Sequence, residues 1–146
     1  MCGPYFTKGS LIEEWKEATK SLDGYHIHIY FHGDFMAETE ALDIATKLNT
    51  LFPEHVKDIS HVGVVGPHAQ RNTAVEITKE GFGDIVSWLQ MNASENLSIL
   101  IHPETDDVLK DHLDAAMWIG EPVSFNDQFF ERIKSVQNKR AISQKR

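Results

Sequence analysis

From Tyr25 to Phe31 the chain alternates polar and apolar side chains, the period of a strand buried on one face. Ile27, Ile29 and Phe31 are expected to meet a core, with Tyr25 opening the strand. His26, His28 and Tyr30 then share the other face. Two imidazoles two residues apart on a strand stand about 7 Å apart at Cα, close enough to reach one metal ion. A solvated strand face more commonly carries Thr, Lys or Glu, so the pair calls for a role.

The rest of the chain supplies the elements such a strand needs. Residues 1–22 read as a loose arm followed by a short helix, with Ser10 as N-cap and Glu13 completing a capping box before Trp15. Asp23-Gly24 turns into the first strand. A helix is expected over 37–51, with Ala41, Ile44, Ala45, Leu48 and Leu51 on one stripe, and Pro53 stopping it. A second strand is read over 56–65, a turn at Gly66-Pro67-His68, and a third strand over 73–78. A helix through Asn92 follows, buried through Ile85, Trp88 and Leu89, with Phe82 and Trp88 read as core. A fourth strand over 97–102 ends at Pro103. A further helix is expected from Thr105 to Trp118, and a last one over 125–137. The order β-α-β-β-α-β predicts an α+β, ferredoxin-like antiparallel sheet in the order 4-1-3-2, with extra helices at both ends. The expected organisation is a single domain over 1–146: arm and short helix to 22, core over 23–125, then a C-terminal helix and basic tail over 126–146.

Strand parity gathers the polar residues. If Ile27, Ile29 and Phe31 face the helices, so should Val75, Ile77, Ile99 and Ile101. Glu76 and His102 then point to the opposite face, with Ser98 and Leu100. In the second strand Val62 and Val64 are read as inward, which puts Ile59, His61 and Gly63 outward. Antiparallel pairing of the first and fourth strands sets His102 beside His26 and His28. Three histidines with open positions suit Fe(II), Zn(II), Mn(II) or Ni(II). His68 can join by a loop that folds back or by crossing a dimer interface, and His112 by folding over His102. Asp111 reads either as a surface carboxylate or as an orienter of a ligating imidazole. Trp118 is open between core and pocket wall. His32, His55, His61 and Glu76 read as ordinary polar residues.

Bulk properties narrow the function. A net charge of −8 argues against nucleic acid as the main partner, and the basic cluster from Arg132 to Arg146 suits a helix end and solvated tail. No apolar run approaches a membrane span, and the charges among Met1–Ser21 leave no leader-like segment. One cysteine, Cys2, excludes an intramolecular disulfide framework and a Cys-rich zinc site. The expected setting is cytoplasmic, with no membrane partner.

Three blocks together resemble the DOPA 4,5-dioxygenase family of fungi and bacteria: Tyr25–Phe31, Gly66-Pro67-His68, and His102-Pro103-Glu104-Thr105 running through Asp111-His112 to Trp118-Ile119-Gly120. The likeness covers about residues 23–125. His26, His28, His68, His102 and His112 match the family's histidines. Asp106 stands where the family often has Gly, and Ala69 follows His68 where Pro is usual. The resemblance implies a ferredoxin-like domain, usually a homodimer, and a non-haem Fe(II) enzyme that opens a catechol such as DOPA with O2. On that basis the metal is assigned to His26, His28 and His102, and acid/base or substrate contact to His68 and His112. Zn(II) or Ni(II) could occupy the site in a purified sample. Two other classes fit the same cluster: a metal- or small-ligand-binding dimer without turnover, and a zinc hydrolase, which would work without oxygen.

Overall fold

The structure is a computed structural model that describes residues 16–17 and 19–145. The expected arm and the Ser10-capped helix start fall outside the described residues.

Four seven-residue strands form the expected frame: β1 (Gly24–Tyr30), β2 (Val56–Val62), β3 (Asn72–Thr78) and β4 (Ser98–Glu104). The sheet order is β2-β3-β1-β4 with all neighbours antiparallel, and a fifth strand, β5 (Met117–Ile119), is added beyond β4. Helix α1 (Phe35–Leu51) buries Ala37, Ala41, Ile44, Ala45 and Leu48; Leu51 is exposed, one turn past the end of the core. Helix α2 (Phe82–Asn92) buries Ile85, Val86 and Leu89, with Trp88 and Phe82 packed at the edge. Ile27, Ile29, Phe31, Val75, Ile77, Ile99 and Ile101 meet both helices in one apolar cluster. The inward parity of β1, β3 and β4 is therefore the one their alternation predicts.

Four details differ from the sequence reading. In β2 the register shifts between Val56 and Asp58, which inverts the parity beyond it. Val56 and Ile59 pack on the core, Ile59 lies opposite Val75, and Val64 is exposed past the strand's end. The strand β4 runs through Pro103 to Glu104 instead of stopping at the proline. β5 pairs only with Ile99–Ile101, so Pro103 lies where β4 has no partner on its outer side, a place that tolerates a missing N–H. Finally, the helix expected through Trp118 is a short α3 (Val108–His112). The chain then turns at Leu113, and Met117-Trp118-Ile119, bulky residues suited to a strand, pair with an otherwise open edge. A last helix, α4 (Asp127–Gln144), is longer than expected and buries only Phe130. Among the described residues no helix is long and apolar enough to cross a membrane.

This late segment positions the site. After β4 the chain crosses the sheet face that α1 and α2 leave free, covering one part of it and leaving His26 and Glu76 half-exposed.

Candidate metal centre

The site begins with strand pairing. His26 lies directly opposite His102 in the β1–β4 register, and His28 follows two residues along the same face. The His28 and His102 rings stack with centroids 5.2 Å apart and planes 9° apart, and their Nε2 atoms are separated by 3.1 Å. The His26 ring centroid is 5.3 Å from that of His102.

Loops bring two more rings. Gly66 adopts φ 58°, the left-handed region that favours glycine, and the turn it makes returns His68 over β1. A β-bridge to Phe125 and the bond from Asn126 N–H to the Pro67 carbonyl at 2.8 Å hold it there. His68 therefore enters from its own chain, with its ring 4.2 Å from that of His28. His112 arrives on α3 and lies 4.0 Å from His102 between centroids. Asp111, only 3% exposed, accepts from Thr105 N–H at 2.9 Å and Thr105 Oγ1 at 2.7 Å. It is neither a surface residue nor bonded to a ligating imidazole; it staples the turn that delivers His112. The five rings form a closed circuit of contacts, 26–28–68–112–102 and back. Trp118 stacks on Tyr30 with centroids 5.9 Å apart and tilts against Phe125 at 5.8 Å, and Phe130 lies against His112.

The other histidines stay outside. His32 meets Ser98 Oγ at 3.1 Å, His55 meets Thr78 Oγ1 at 2.8 Å, and His61 is exposed on β2. His61 also lies opposite Thr73, not on the site face, because of the shifted register. Glu76 pairs with Lys57 at 3.4 Å.

A proton count shows what the centre of the cluster is suited to hold. Asn72 donates from Nδ2 to the Gln70 carbonyl at 3.3 Å, which turns its Oδ1 to His28 Nδ1 at 2.9 Å. His102 Nδ1 lies 2.8 Å from the Pro103 carbonyl. Both Nδ1 atoms therefore donate, and in neutral rings both Nε2 atoms are bare. Three contacts in a row would need three protons, and two neutral imidazoles carry two. A third proton is disfavoured: burial, then the neighbouring His112, lowers His102 to about 3, and burial with His68 and His102 nearby holds His28 well below the ordinary histidine value. A metal ion fits instead, since it takes both lone pairs and needs neutral imidazoles. Nitrogens about 2.0–2.1 Å from one ion stand roughly 3–3.4 Å apart, close to the separation found. Donor atoms of His26, His28 and His102 all lie within 4.8 Å of one another, as do those of His28, His68 and His112. These residues could hold a metal ion.

The model of the Dopa 4,5-dioxygenase family matches residues 25–129, the span that carries the sheet, both loops and all five clustered histidines. The chain belongs to this family. It is 33% identical over 111 residues to a DOPA 4,5-dioxygenase of Amanita muscaria, covering 70% of this chain and 47% of that protein, so it spans about half the length of that relative. An uncharacterised 21.2 kDa protein of Botryotinia fuckeliana is 27% identical over 136 residues, with 84% and 74% covered. A solved structure from Nostoc punctiforme, provisionally named a dioxygenase, superposes with a TM-score of 0.59 at 27% identity, over 79% of this chain and 96% of that one.

Two further residues, Asn72 and Glu104, bond histidines of the cluster. Asn72 opens β3 opposite Tyr30, so it reaches His28 across one strand. Glu104, opposite Gly24, accepts from His26 Nε2 at 2.9 Å. Both contacts depend on register, which a single sequence leaves open. Outer partners of ligating histidines fix tautomer and ring orientation, and their loss lowers metal affinity by roughly 10–100-fold. Asn72→Ala is expected to weaken Zn(II) binding by about that factor while the fold persists; competition with a chromophoric chelator measures it, and unchanged affinity would show that Asn72 does not orient His28.

Proposed function

We propose that the chain is an Fe(II)-dependent extradiol dioxygenase that opens a catechol ring, DOPA or a close relative, with O2. The observation that carries this reading is the pair of bare Nε2 atoms of His28 and His102 at the centre of a five-histidine cluster, in a chain of this family. The comparison with the Amanita enzyme supports the substrate class. In this reading His26, His28 and His102 hold the metal. His26 bonds Glu104 through Nε2, so in the neutral ring Nδ1 is its free lone pair. When bound, iron supplies Lewis acidity toward the catechol oxygens and a redox centre for O2.

The remaining groups handle protons and water. His112 Nδ1 meets the Val108 carbonyl at 2.9 Å, which leaves Nε2 bare as the base for a catechol O–H. Burial holds His112 below its ordinary value and takes His68 to about 4, so both rings are neutral near pH 7. Trp118, Phe125 and Phe130 form an aromatic wall that excludes water and suits a flat ring. We place this activity in a cytoplasmic homodimer, with a second copy covering the half-exposed face around His26 and Glu76.

The test is anaerobic loading with Fe(II), addition of L-DOPA or caffeate, then admission of air. Oxygen uptake with a new yellow chromophore is the expected result. No uptake with any catechol, at one iron per chain, would reduce the site to a binding function.

A further inference from the structure

Tyr30 lies on the site face of β1 beside His28 and is fully buried, at 0% exposure. Its hydroxyl is 2.6 Å from His68 Nδ1, and among the described residues this is its one hydrogen bond. A phenol keeps its proton at neutral pH. A buried O–H needs an acceptor, and His68 Nδ1 is the acceptor present. If the ring donated instead, the phenol proton would be stranded among Trp118 and the strand core.

We infer that Tyr30 is a positioning residue that locks His68 in the tautomer with its proton on Nε2. The ring is thereby opposite in sense to its neighbours. His28, His102 and His112 each give their Nδ1 proton to an oxygen and present a bare Nε2. His68 gives no proton from Nδ1, and its Nε2 carries one. Neither nitrogen then offers a lone pair: Nδ1 is occupied by the phenol, and Nε2 is an N–H. Metal coordination by His68 would require the Tyr30 bond to reverse or break, so that a ring nitrogen regains its lone pair.

No hydrogen bond among the described residues engages His68 Nε2. That N–H is free to donate to a negatively charged oxygen of a molecule bound beside His28 and His112. His68 is thus a donor to an oxyanion, and His112 the acceptor, which divides the acid and base roles that the two rings share in the proposed reaction. This functional consequence rests on the metal-centre reading; the tautomer does not.

The experiment uses the full chain labelled with ¹⁵N-histidine, without metal and with one equivalent of Zn(II), and reads long-range ¹H–¹⁵N correlations. The expected result is His68 protonated on Nε2 with Nδ1 unprotonated in both states, and no zinc-induced coordination shift at His68. In Tyr30→Phe, His68 should lose that fixed pattern while His28 and His102 keep their Nδ1 protons. A His68 protonated on Nδ1, a coordination shift on zinc addition, or a pattern unmoved by Tyr30→Phe would overturn the inference. The wild-type spectrum decides the tautomer even if the variant fails to fold. Oxygen uptake without the expected tautomer would sink only the role of Tyr30; the tautomer without uptake would sink only the dioxygenase.

Discussion

His28→Ala and His102→Ala are each expected to lose stoichiometric metal binding and all metal-dependent oxygen uptake. The loss should exceed the roughly 10–100-fold that an outer partner contributes, because a lone pair is removed rather than misaimed. The two rings act as one unit, with their Nε2 atoms 3.1 Å apart. Removing either leaves the other facing space. The double variant should therefore lose little more than each single one, the non-additivity expected of groups that share one ion. Neither ring belongs to the apolar cluster between sheet and helices, so the fold should survive. Metal analysis after dialysis, with circular dichroism as the control, decides this. Metal retained at one equivalent in either variant would place the ion elsewhere.

Acidification is expected to destabilise the metal-free chain and, over the same range, to expel bound metal. The sign follows from the direction of the shifts. In the unfolded chain histidines take up protons near pH 6.5. In the folded chain burial holds His68 near 4 and His102 near 3. Above about pH 6.5 these rings are neutral in both states, and the stability of the neutral form is fully present. As pH falls from there, the unfolded state binds protons that the folded state refuses, and stability drops by about 1.4 kcal/mol per pH unit for each such ring. The drop levels off below the folded values. Thermal unfolding from pH 8 to pH 4 should show a plateau and then a steep fall below about 6.5. Zinc should displace that fall to lower pH, since protons and metal compete for the same lone pairs. A flat profile between 6.5 and 4.5 would mean that the buried rings already carry protons in the folded state, against the proton count at His28 and His102.

Much of this arrangement was legible in the sequence because it depends on strand parity, which has a fixed period. Alternation in β1 put Ile27 and Ile29 in the core and His26 and His28 on the far face, and antiparallel pairing set His102 across from His26. The sheet order followed from the order of elements. What escaped depends on events that alternation does not encode. The bulge in β2 is one such event, and it inverted the placement of Ile59 and His61. The path after β4 is another: residues 113–119 hold a helix-compatible pattern, yet the open edge of β4 drew Met117–Ile119 into a strand. That choice placed Trp118 against Tyr30. The sequence is compatible with two routes for His68, because Gly66 permits a reversal without dictating its direction. The burial of Asp111 escapes the sequence for a similar reason, since only the tight turn from Thr105 brings it about. Partners fixed by register, Asn72 and Glu104, were out of reach of pattern alone.

One metal ion is expected among the imidazoles on this sheet face. X-ray absorption on the chain loaded with one equivalent of Zn(II) tests it most directly. The expected result is a shell of at least two imidazole nitrogens, from His28 and His102, at about 2.0–2.1 Å. The competing group of His26, Glu76 and Glu104 would instead give one imidazole and a majority of oxygens. An oxygen-dominated shell, or zinc that fails to bind at one equivalent, would rule out a metal centre built on His28 and His102.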